Sequence, residues 1–351
     1  MFDEPDLWRK LAIDTARFGG LVHLTRPLVG AVGVILMLHR VTELPAHPLG
    51  FNRHLRITPR FLDKLICCMK ASGYNLVSLD EIVDALRHRS GTGRLATITA
   101  DDGYRDNLTE ALPVFETHAT PFTIYIAPGL VDGAADLWWD ILEEIVAAAA
   151  TLTVPGGGAG TVVAARTRAE KGAALQRLAE LLGRSPRHWQ RALLAALARQ
   201  AGIDFSPPRP GVLMAWPELV RLAAHPLATI GAHTIHHVNL RELPAAAARD
   251  EMAQSVSVLG AALGRTPRHF AYPYGNAAAV SEREVALAGE LGFASAVTTR
   301  HGVLLPGHGR HLLALPRISV NGRFQNLGRM GAMLSGLTTP LANRGRRLVT
   351  V

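Results

Sequence analysis

The sequence has little cysteine, few aromatic residues and no apolar run long enough to cross a bilayer. Cys67 and Cys68 are the only two cysteines among 351 residues, and adjacent cysteines rarely bridge each other because the geometry is strained. A disulfide framework is therefore excluded, which permits a reducing compartment. Both cysteines fall in a stretch of helical pattern, so we expect them to be small buried hydrophobic side chains.

Charged residues are also scarce. They make up 19% of the chain, below the usual quarter or so, while hydrophobic residues make up 48%, ample for a large core. The 37 Lys plus Arg against 29 Asp plus Glu give a net charge of +8, and a basic surface could meet nucleic acid, anionic lipid or an acidic polysaccharide. The excess is scattered arginine without interleaved aromatic residues, so a nucleic-acid partner is not expected. Association with a membrane surface stays open, and nothing predicts an oligomeric state.

The first residues lack the features of a secretory leader. Met1-Phe-Asp-Glu-Pro-Asp6 is acidic where a signal peptide would be basic. The apolar run from Leu28 to Leu38 is too short to span a bilayer, and its second half has the pattern of a buried strand. We therefore expect a cytoplasmic or inner-membrane-associated protein.

Strand and helix patterns alternate along most of the chain, which predicts a parallel α/β fold, either a barrel or an open sheet. The predicted boundaries are an N-terminal segment at 1–32, a catalytic domain at 33–325 and a basic C-terminal tail at 326–351. Residues 138–207 are rich in Ala, Leu and Arg and contain no convincing strand, so they are predicted to be a helical insertion with a flexible loop. The tail beyond Phe324 is expected to be peripheral.

The first chemical motif is Thr99-Ala-Asp-Asp-Gly-Tyr104, at the end of an apolar strand. Two adjacent carboxylates repel each other unless a cation or a proton separates them. A metal on one would leave the other free to act as a base, and Gly103 allows the sharp turn. The alternative interpretation is a helix cap with a spare surface acid.

The second motif is Gly231-Ala-His-Thr-Ile-His-His237, again after a strand. His233 and His237 are four residues apart, so on a helical turn they would face one metal ion together. His236 is the rival for the second position, and Thr234 could support the metal shell through a hydrogen bond.

The third motif is Phe270-Ala-Tyr-Pro-Tyr-Gly275. Proline is confined to the edges and ends of strands, so Pro273 marks a strand terminus. Tyr274 would then face the rim where the other two motifs lie, since functional groups gather at the carboxyl ends of parallel strands. Taken alone, this motif would be interpreted as a hydrophobic loop.

Together these residues resemble the polysaccharide deacetylase family (carbohydrate esterase family 4-like), related to the chitooligosaccharide and exopolysaccharide (poly-N-acetylglucosamine) deacetylases. Residues 99–104 match its Thr-Phe/Tyr-Asp-Asp-Gly motif, except that Ala100 replaces the aromatic residue, and residues 233–237 match its His-Ser/Thr-x-x-His motif. The resemblance covers roughly Gly33 to Arg317. It implies a distorted (β/α) barrel of about seven parallel strands with the helical stretch as an insertion.

The resemblance also implies an activity, the hydrolysis of N-acetyl groups on an exopolysaccharide or chitooligosaccharide-like glycan. Asp101 would be the general base, while Asp102, His233 and His237 would hold a divalent metal, zinc or in its place cobalt or nickel. That metal would polarise the acetamide carbonyl and lower the pKa of a bound water. The backbone N–H of Tyr274 would stabilise the oxyanion.

The sequence departs from the family pattern at two places. The family's third motif usually carries an arginine that orients the base, and Ala271 stands there instead; Arg317, after the last apolar stretch, is expected to replace it on position alone. The family's general acid is normally a histidine in a C-terminal Leu-x-His motif, which has no good counterpart here. His39 ends the first apolar strand, as in the exopolysaccharide deacetylase branch, and a closed barrel makes its first and last strands neighbours. We predict that His39 protonates the leaving amine; the alternative is a histidine that only caps a strand end.

Two other functions stay open from the sequence. One is a non-catalytic carbohydrate-binding protein, which Ala271 favours and the retained aspartates and histidines oppose. The other is a deacylase of a small non-sugar amide. Trp138, Trp139 or Trp216 could stack on sugar rings, although core packing is the favoured explanation for any one of them.

Overall fold

The computed structural model describes residues 31–88, 94–156, 160–205 and 211–351. Nearly all of the predicted N-terminal segment, 1–32, lies outside these ranges. Within them the strands are β1 Gly33–Leu38, β2 Arg40–Val41, β3 Arg56–Ile57, β4 Tyr74–Leu76, β5 Arg94–Ala100, β6 Phe122–Ile126, β7 Thr151–Val154, β8 Thr161–Ala164, β9 Ala228–Ala232, β10 His269–Ala271, β11 Ser295–His301 and β12 Leu315–Ser319.

The α-helices are α1 Pro59–Ala71, α2 Leu79–His88, α3 Leu112–Thr117, α4 Pro128–Val131, α5 Trp138–Ala148, α6 Arg168–Gly183, α7 Arg187–Ala201, α8 Trp216–Ala223, α9 Ala245–Leu263, α10 Glu282–Glu290, α11 Leu327–Leu334 and α12 Thr338–Ala342. Short 3-10 helices at Asn52–Leu55, Leu240–Glu242, Pro306–Arg310, Leu312–Ala314 and Gly322–Phe324 and a π-helical turn at Asn107–Ala111 complete the described elements.

Seven parallel strands close into a barrel in the order β1-β12-β11-β10-β9-β6-β5, and β5 returns to β1. The predicted distorted (β/α) barrel is therefore confirmed. β4 lies outside the ring. It pairs with the start of β5, at residues 94–96, and β6 pairs with the end of β5, at residues 98–100. The ring brings the first strand, β1, against the last, β12, with Leu36 opposite Ile318. Side chains at the carboxyl ends of these two strands consequently meet at one rim.

The barrel strands are apolar because both of their faces are covered. All residues of β1 and of β6 are buried, as expected for parallel strands with packed side chains inside and helices outside. The surrounding helices begin where the sequence predicts them to begin. In α1, the Thr58 side chain accepts a hydrogen bond from the Phe61 N–H and Pro59 occupies the first turn, which is a favourable start for a helix.

The insertion has a hydrophobic core of its own, made by α5, α6, α7 and a β-hairpin. The expectation that it contains no strand is wrong, because β7 and β8 pair antiparallel from Thr151–Ala164 to Val154–Thr161. Each of these strands has only four residues, so the alternation of polar and apolar side chains is too short to indicate a strand in the sequence. Tyr104 and Tyr274 belong to the same cluster, so the insertion packs directly against the barrel rim.

The C-terminal tail is not peripheral, contrary to expectation. Met330 and Leu334 of α11 are buried in the main core, at 1% and 6% exposure. Their spacing of four residues gives α11 an apolar face that the Gly- and Arg-rich composition of the tail conceals. Within the described ranges, no helix is both long and apolar enough to cross a membrane.

The two cysteines also differ from expectation. Cys67 is exposed and Cys68 half-buried, because α1 buries the face that carries Leu62, Leu65 and Met69. Cys67 is two residues from Leu65, about 200° around the helix, and therefore faces away from the core.

Candidate active site and metal centre

The two aspartates follow β5 at the rim of the barrel, and a left-handed turn sends them in different directions. The Asp101 N–H donates to the Leu38 carbonyl at 3.1 Å, which continues the sheet. Asp102 has φ of 74° and Gly103 has φ of 75°. Asp101 therefore faces β1 and β12, while Asp102 faces the histidine loop after β9.

Left-handed backbone is concentrated at this rim. Among the described residues, six that are not glycine have positive φ, and four of them are Asp102, Thr234, His237 and Tyr274. Such conformations cost about 1–3 kcal/mol each and persist only where the surrounding structure holds them, most often at functional sites. The backbone thus identifies the same loops as the chemical motifs do.

Arg317 of β12 lies on Asp101. Its two terminal nitrogens donate to the two carboxylate oxygens, each at 2.7 Å, and its Nε donates to the Thr298 carbonyl at 2.9 Å. Burial alone would raise the pKa of Asp101, but the Arg317 guanidinium outweighs burial and holds that pKa below its usual range. The structure therefore pairs Asp101 with Arg317, the arginine considered in place of the one missing at Ala271.

The Ala271 backbone has a different part in the site. Its carbonyl accepts a hydrogen bond from His233 Nδ1 at 2.6 Å. The neutral ring then carries its proton on Nδ1, so the lone pair of Nε2 is free to act as a ligand. That Nε2 lies 3.5 Å from Asp102 Oδ1.

His237 completes a group of three ligand-type atoms. Its Nε2 lies 3.2 Å from Asp102 Oδ1, and the ligand atoms of Asp102, His233 and His237 all lie within 4.8 Å of one another. The spacing predicted that the two histidines share a helical turn, but they do not. They follow β9 in a loop where Thr234 and His237 both have left-handed backbone, and the loop brings the ring centroids to 4.9 Å.

These residues fit a divalent metal. Asp102 Oδ1 is buried and has no hydrogen-bond donor among the described residues, a costly state for a carboxylate oxygen unless a cation neutralises it. One carboxylate and two imidazoles are a usual set for zinc, which needs a further open position for catalysis. Burial would raise the pKa of Asp102, but His233 and His237 hold it well below its usual value, so the ligand oxygen is ionised.

His236, the rival ligand, turns away from the group. Its Nδ1 lies 2.7 Å from Glu251 Oε1 of α9. Thr234, expected to support the metal shell, is fully buried but its hydroxyl has no hydrogen-bond partner among the described residues.

His39 stands at the end of β1, on the other side of Asp101. Its Nε2 is 3.9 Å from Asp101 Oδ2, and its side chain is 21% exposed. Burial lowers the pKa of His39 even though Asp102 and Asp101 act to raise it. The Asn107 amide donates to the His39 carbonyl at 2.8 Å and anchors its backbone.

Tyr274 borders the metal group from the loop after β10. Its ring centroid is 5.4 Å from that of His237, and burial raises the pKa of its hydroxyl to about 12. Its backbone N–H makes no hydrogen bond to any residue of the described ranges, so this donor is available at the rim.

Two of the three tryptophans considered for sugar stacking, Trp138 and Trp139, have the packed positions that the sequence favoured, and Trp216 is half-buried. Trp138 and Trp139 are 7% and 8% exposed. Trp138 donates to the Tyr274 hydroxyl at 3.2 Å and Trp139 to the Tyr104 hydroxyl at 2.9 Å. Trp139 also lies 4.9 Å from the His237 ring. Trp216 donates to Asp132 at 2.6 Å. The first two form a wall of the site from the insertion side.

A groove beside the metal group was missed by sequence reasoning. It has a volume of about 580 Å³ and runs from His237 and Tyr274 between Gly183–Gln190 of the insertion and the start of α9. Its polar lining includes Arg184, Asn239 and Gln254. No sequence signal predicts it, because its walls come from segments that are distant in the chain.

Comparison with known proteins agrees with this geometry. The family model "Polysaccharide deacetylase" matches residues 196–295, which contain the histidine loop and Tyr274. No curated protein matches the sequence.

Solved structures of deacetylases share the fold. The Streptococcus pyogenes deacetylase PplD is 17% identical, with a TM-score of 0.57 over 86% of this chain and 97% of that one. IcaB from Ammonifex degensii is 20% identical, with a TM-score of 0.56 over 87% and 98%. A de-N-acetylase from Aggregatibacter actinomycetemcomitans is 15% identical, with a TM-score of 0.53 over 86% and 99%. The resemblance to the polysaccharide deacetylase family is confirmed, both in the family match and in the fold.

Proposed function

We propose that this chain is a metal-dependent hydrolase that removes N-acetyl groups from a glycan. The single observation that carries the proposal is the division of the aspartate pair. Arg317 holds Asp101 as an ionised carboxylate, while Asp102 joins His233 and His237 in a group that fits a divalent cation. The family match and the folds of the solved deacetylases support a hydrolase of carbon–nitrogen bonds.

Asp102 Oδ1 and the two Nε2 atoms of His233 and His237 would hold the metal, with zinc, cobalt or nickel as its candidates. A divalent ion supplies polarisation of the acetamide carbonyl and a water molecule of lowered pKa. The hydrogen bond from His233 Nδ1 to the Ala271 carbonyl orients the first imidazole, as outer partners of metal ligands commonly do.

In the proposed mechanism Asp101 would take the proton of the attacking water. Asp101 remains ionised because of Arg317, and the two parallel hydrogen bonds from Arg317 fix the orientation of its carboxylate. His39 would protonate the leaving nitrogen, and the 3.9 Å between its Nε2 and Asp101 Oδ2 supports this role. The free N–H of Tyr274 would stabilise the oxyanion of the tetrahedral intermediate.

The proposed substrate is an exopolysaccharide or a chitooligosaccharide-like glycan. The groove of about 580 Å³ extends from His237 and Tyr274 and leaves room for sugar units beside the reacting acetamide. Ala271 was the feature that favoured a non-catalytic binding protein, and the position of Arg317 on Asp101 counts against that alternative.

The test is an acetate-release screen across defined N-acetylated oligosaccharides with added zinc, cobalt or nickel. We expect release from at least one glycan and none from the Asp101→Asn variant, which keeps the shape of the side chain but cannot accept the proton. Metal binding without release from any glycan would contradict the proposal. Release only from small non-sugar amides would favour the small-amide deacylase.

A further inference from the structure

The exposed Cys67 belongs to a side-chain group on the helices that surround the barrel. Asp63 and Cys67 lie four residues apart on α1, so they occupy successive turns of one helix face. His118 follows α3 and approaches the same face. We call Asp63, Cys67 and His118 the Cys67 cluster.

Three different ligand atoms converge in the Cys67 cluster. His118 Nε2 is 2.8 Å from Asp63 Oδ1 and 3.9 Å from Cys67 Sγ. All three atoms lie within 4.8 Å of one another. Lys70 of the same helix donates from its ammonium group to the His118 carbonyl oxygen at 2.5 Å, so it is held on the backbone instead of on the thiol or the carboxylate.

The shared Nε2 excludes one alternative for these residues. In a nucleophilic Cys–His–Asp triad, the thiol and the carboxylate contact opposite nitrogens of the imidazole. Here both contact Nε2, so the histidine cannot pass a proton from one to the other. Three donors that converge on a single point are the arrangement of a metal site.

We propose that the Cys67 cluster binds a second metal ion, of the thiolate-preferring divalent class to which zinc belongs. A sulfur, an imidazole and a carboxylate favour zinc over magnesium or calcium, and a water would complete four coordination. On binding, the Cys67 thiol loses its proton to solvent, and the Nε2 proton that His118 shares with Asp63 moves through solvent to Nδ1, so that Nε2 can coordinate. The metal then replaces the hydrogen bond between Asp63 and His118.

Such an ion would join two helices that are otherwise separate in the chain. Cys67 and His118 are 51 residues apart, so the metal would tie α1 to the end of α3. Because an unfolded chain does not hold the three ligands together, binding would stabilise the folded state. The role is structural and independent of the rim site, which contains no sulfur ligand.

Cobalt(II) separates the two sites, since only a thiolate ligand gives an intense sulfur-to-cobalt charge-transfer band in the near ultraviolet. The full chain, reduced and stripped of metal, would be titrated with cobalt. We expect the amplitude of the band to correspond to one thiolate-bound cobalt per chain, while the rim site takes up a second cobalt that gives no such band. The Asp102→Asn variant, disabled at the rim site, should keep the band in full, and this separates the inference from the proposed activity.

The matched variants are Cys67→Ser and Cys68→Ser, on adjacent residues of one helix. Because Cys67 is exposed, Cys67→Ser should fold normally, which its circular dichroism checks. We expect Cys67→Ser to abolish the band, Cys68→Ser to retain it and His118→Gln to weaken cobalt binding at least tenfold. In Cys68→Ser protein, zinc should also slow the reaction of the remaining thiol with a disulfide reagent. A wild-type titration without the band, or a band that survives in Cys67→Ser, would overturn the proposal.

Discussion

Arg317 and Asp101 are 216 residues apart in the chain and share two parallel hydrogen bonds of 2.7 Å. A planar guanidinium fork fixes the orientation of a carboxylate as well as its charge. Both side chains are almost fully buried, at 1% and 2% exposure, so the pair is shielded from the solvent screening that weakens surface ion pairs. The first prediction concerns this pair.

Arg317→Lys should lower kcat/KM by about 10- to 100-fold, because lysine keeps the charge but loses the fork. The acid side of the pH profile should also move upward. Burial acts to raise the pKa of Asp101, and Arg317 holds it below its usual value. With a weaker partner, the pKa of Asp101 rises. Asp101 then becomes protonated, and activity falls, at a higher pH than in the wild type. Arg268→Lys, at an exposed arginine that pairs with Asp80, should change neither quantity. An unchanged profile in Arg317→Lys would show that the pair does not set the ionisation of the base.

The two neighbouring histidines provide a matched test of the metal group. His237→Gln should lower zinc affinity by at least about tenfold, because it removes one of three protein ligands. His236→Gln, one residue away, should retain the metal, since His236 contacts Glu251. Metal content after dialysis, read from the rim site in a Cys67→Ser background, checks both. Equal losses in the two variants would contradict the assignment.

His39→Gln should slow the hydrolysis of an N-acetyl amide by about 10²- to 10⁴-fold, the usual contribution of a general acid. The same variant should lose far less activity on an aryl acetate, whose phenolate leaving group needs no proton. Steady-state kinetics on both substrates makes the comparison. An equal loss on both would assign His39 a structural role at the end of β1.

Asp140 should make the fold less stable as the pH rises through the mildly acidic range. Burial raises its pKa to about 6 from a usual 3.8, so the native state holds the proton more tightly than the unfolded chain does. Stability is therefore greatest below the unfolded pKa and falls until the pH passes about 6, by an amount on the order of 2 kcal/mol. Asp140→Asn should remove this fall and be the more stable protein above pH 6. Urea unfolding at several pH values measures the difference, and Asp84→Asn, at an exposed carboxylate, is the control.

Gly275→Ala should impair both stability and turnover. Gly275 has φ of 59°, and an added Cβ would lie 2.6 Å from the Thr299 backbone nitrogen, so the loop that carries the Tyr274 N–H must shift. We expect a destabilisation of about 1–3 kcal/mol. Gly331→Ala, in α11 with open space around its Cβ, should instead stabilise by about 0.5–1 kcal/mol. Thermal unfolding and kcat/KM are measured for both variants. A fully active Gly275→Ala protein would contradict the oxyanion role of the Tyr274 N–H.

The barrel and the rim loops could be predicted because their signals are local. Asp101, Asp102 and His233 each follow a strand within a few residues, and the carboxyl ends of parallel strands meet at one rim. The choice of His237 over His236 was not local, since it depends on Glu251 of α9, which draws His236 away. The spacing of four residues suggested His237, which the structure does bring to Asp102 and His233. The reason given was a shared helical turn, but the two histidines lie in a loop with left-handed backbone.

Other features needed the three-dimensional structure. The sequence suggested Arg317 only from its position in the last strand. Its two hydrogen bonds to Asp101 depend on the closure of the barrel, which puts β12 beside β1 and near the end of β5. The hairpin of β7 and β8 was missed because two four-residue strands give too few alternating positions. Cys67 was expected to be buried, and its exposure follows from which face of α1 meets the core.

The position of β12 between β11 and β1 has a consequence for how the chain is made. β1 emerges early from the ribosome and can pair with β5 on one edge, but its other edge stays open until residues 315–319 have been synthesised. Until then Asp101 is a carboxylate without its counter-ion, and two strand edges are free to pair with other chains. A product that terminates before Arg317 would therefore be inactive and prone to aggregate, so the barrel and its rim site are complete only when the last strand has been synthesised.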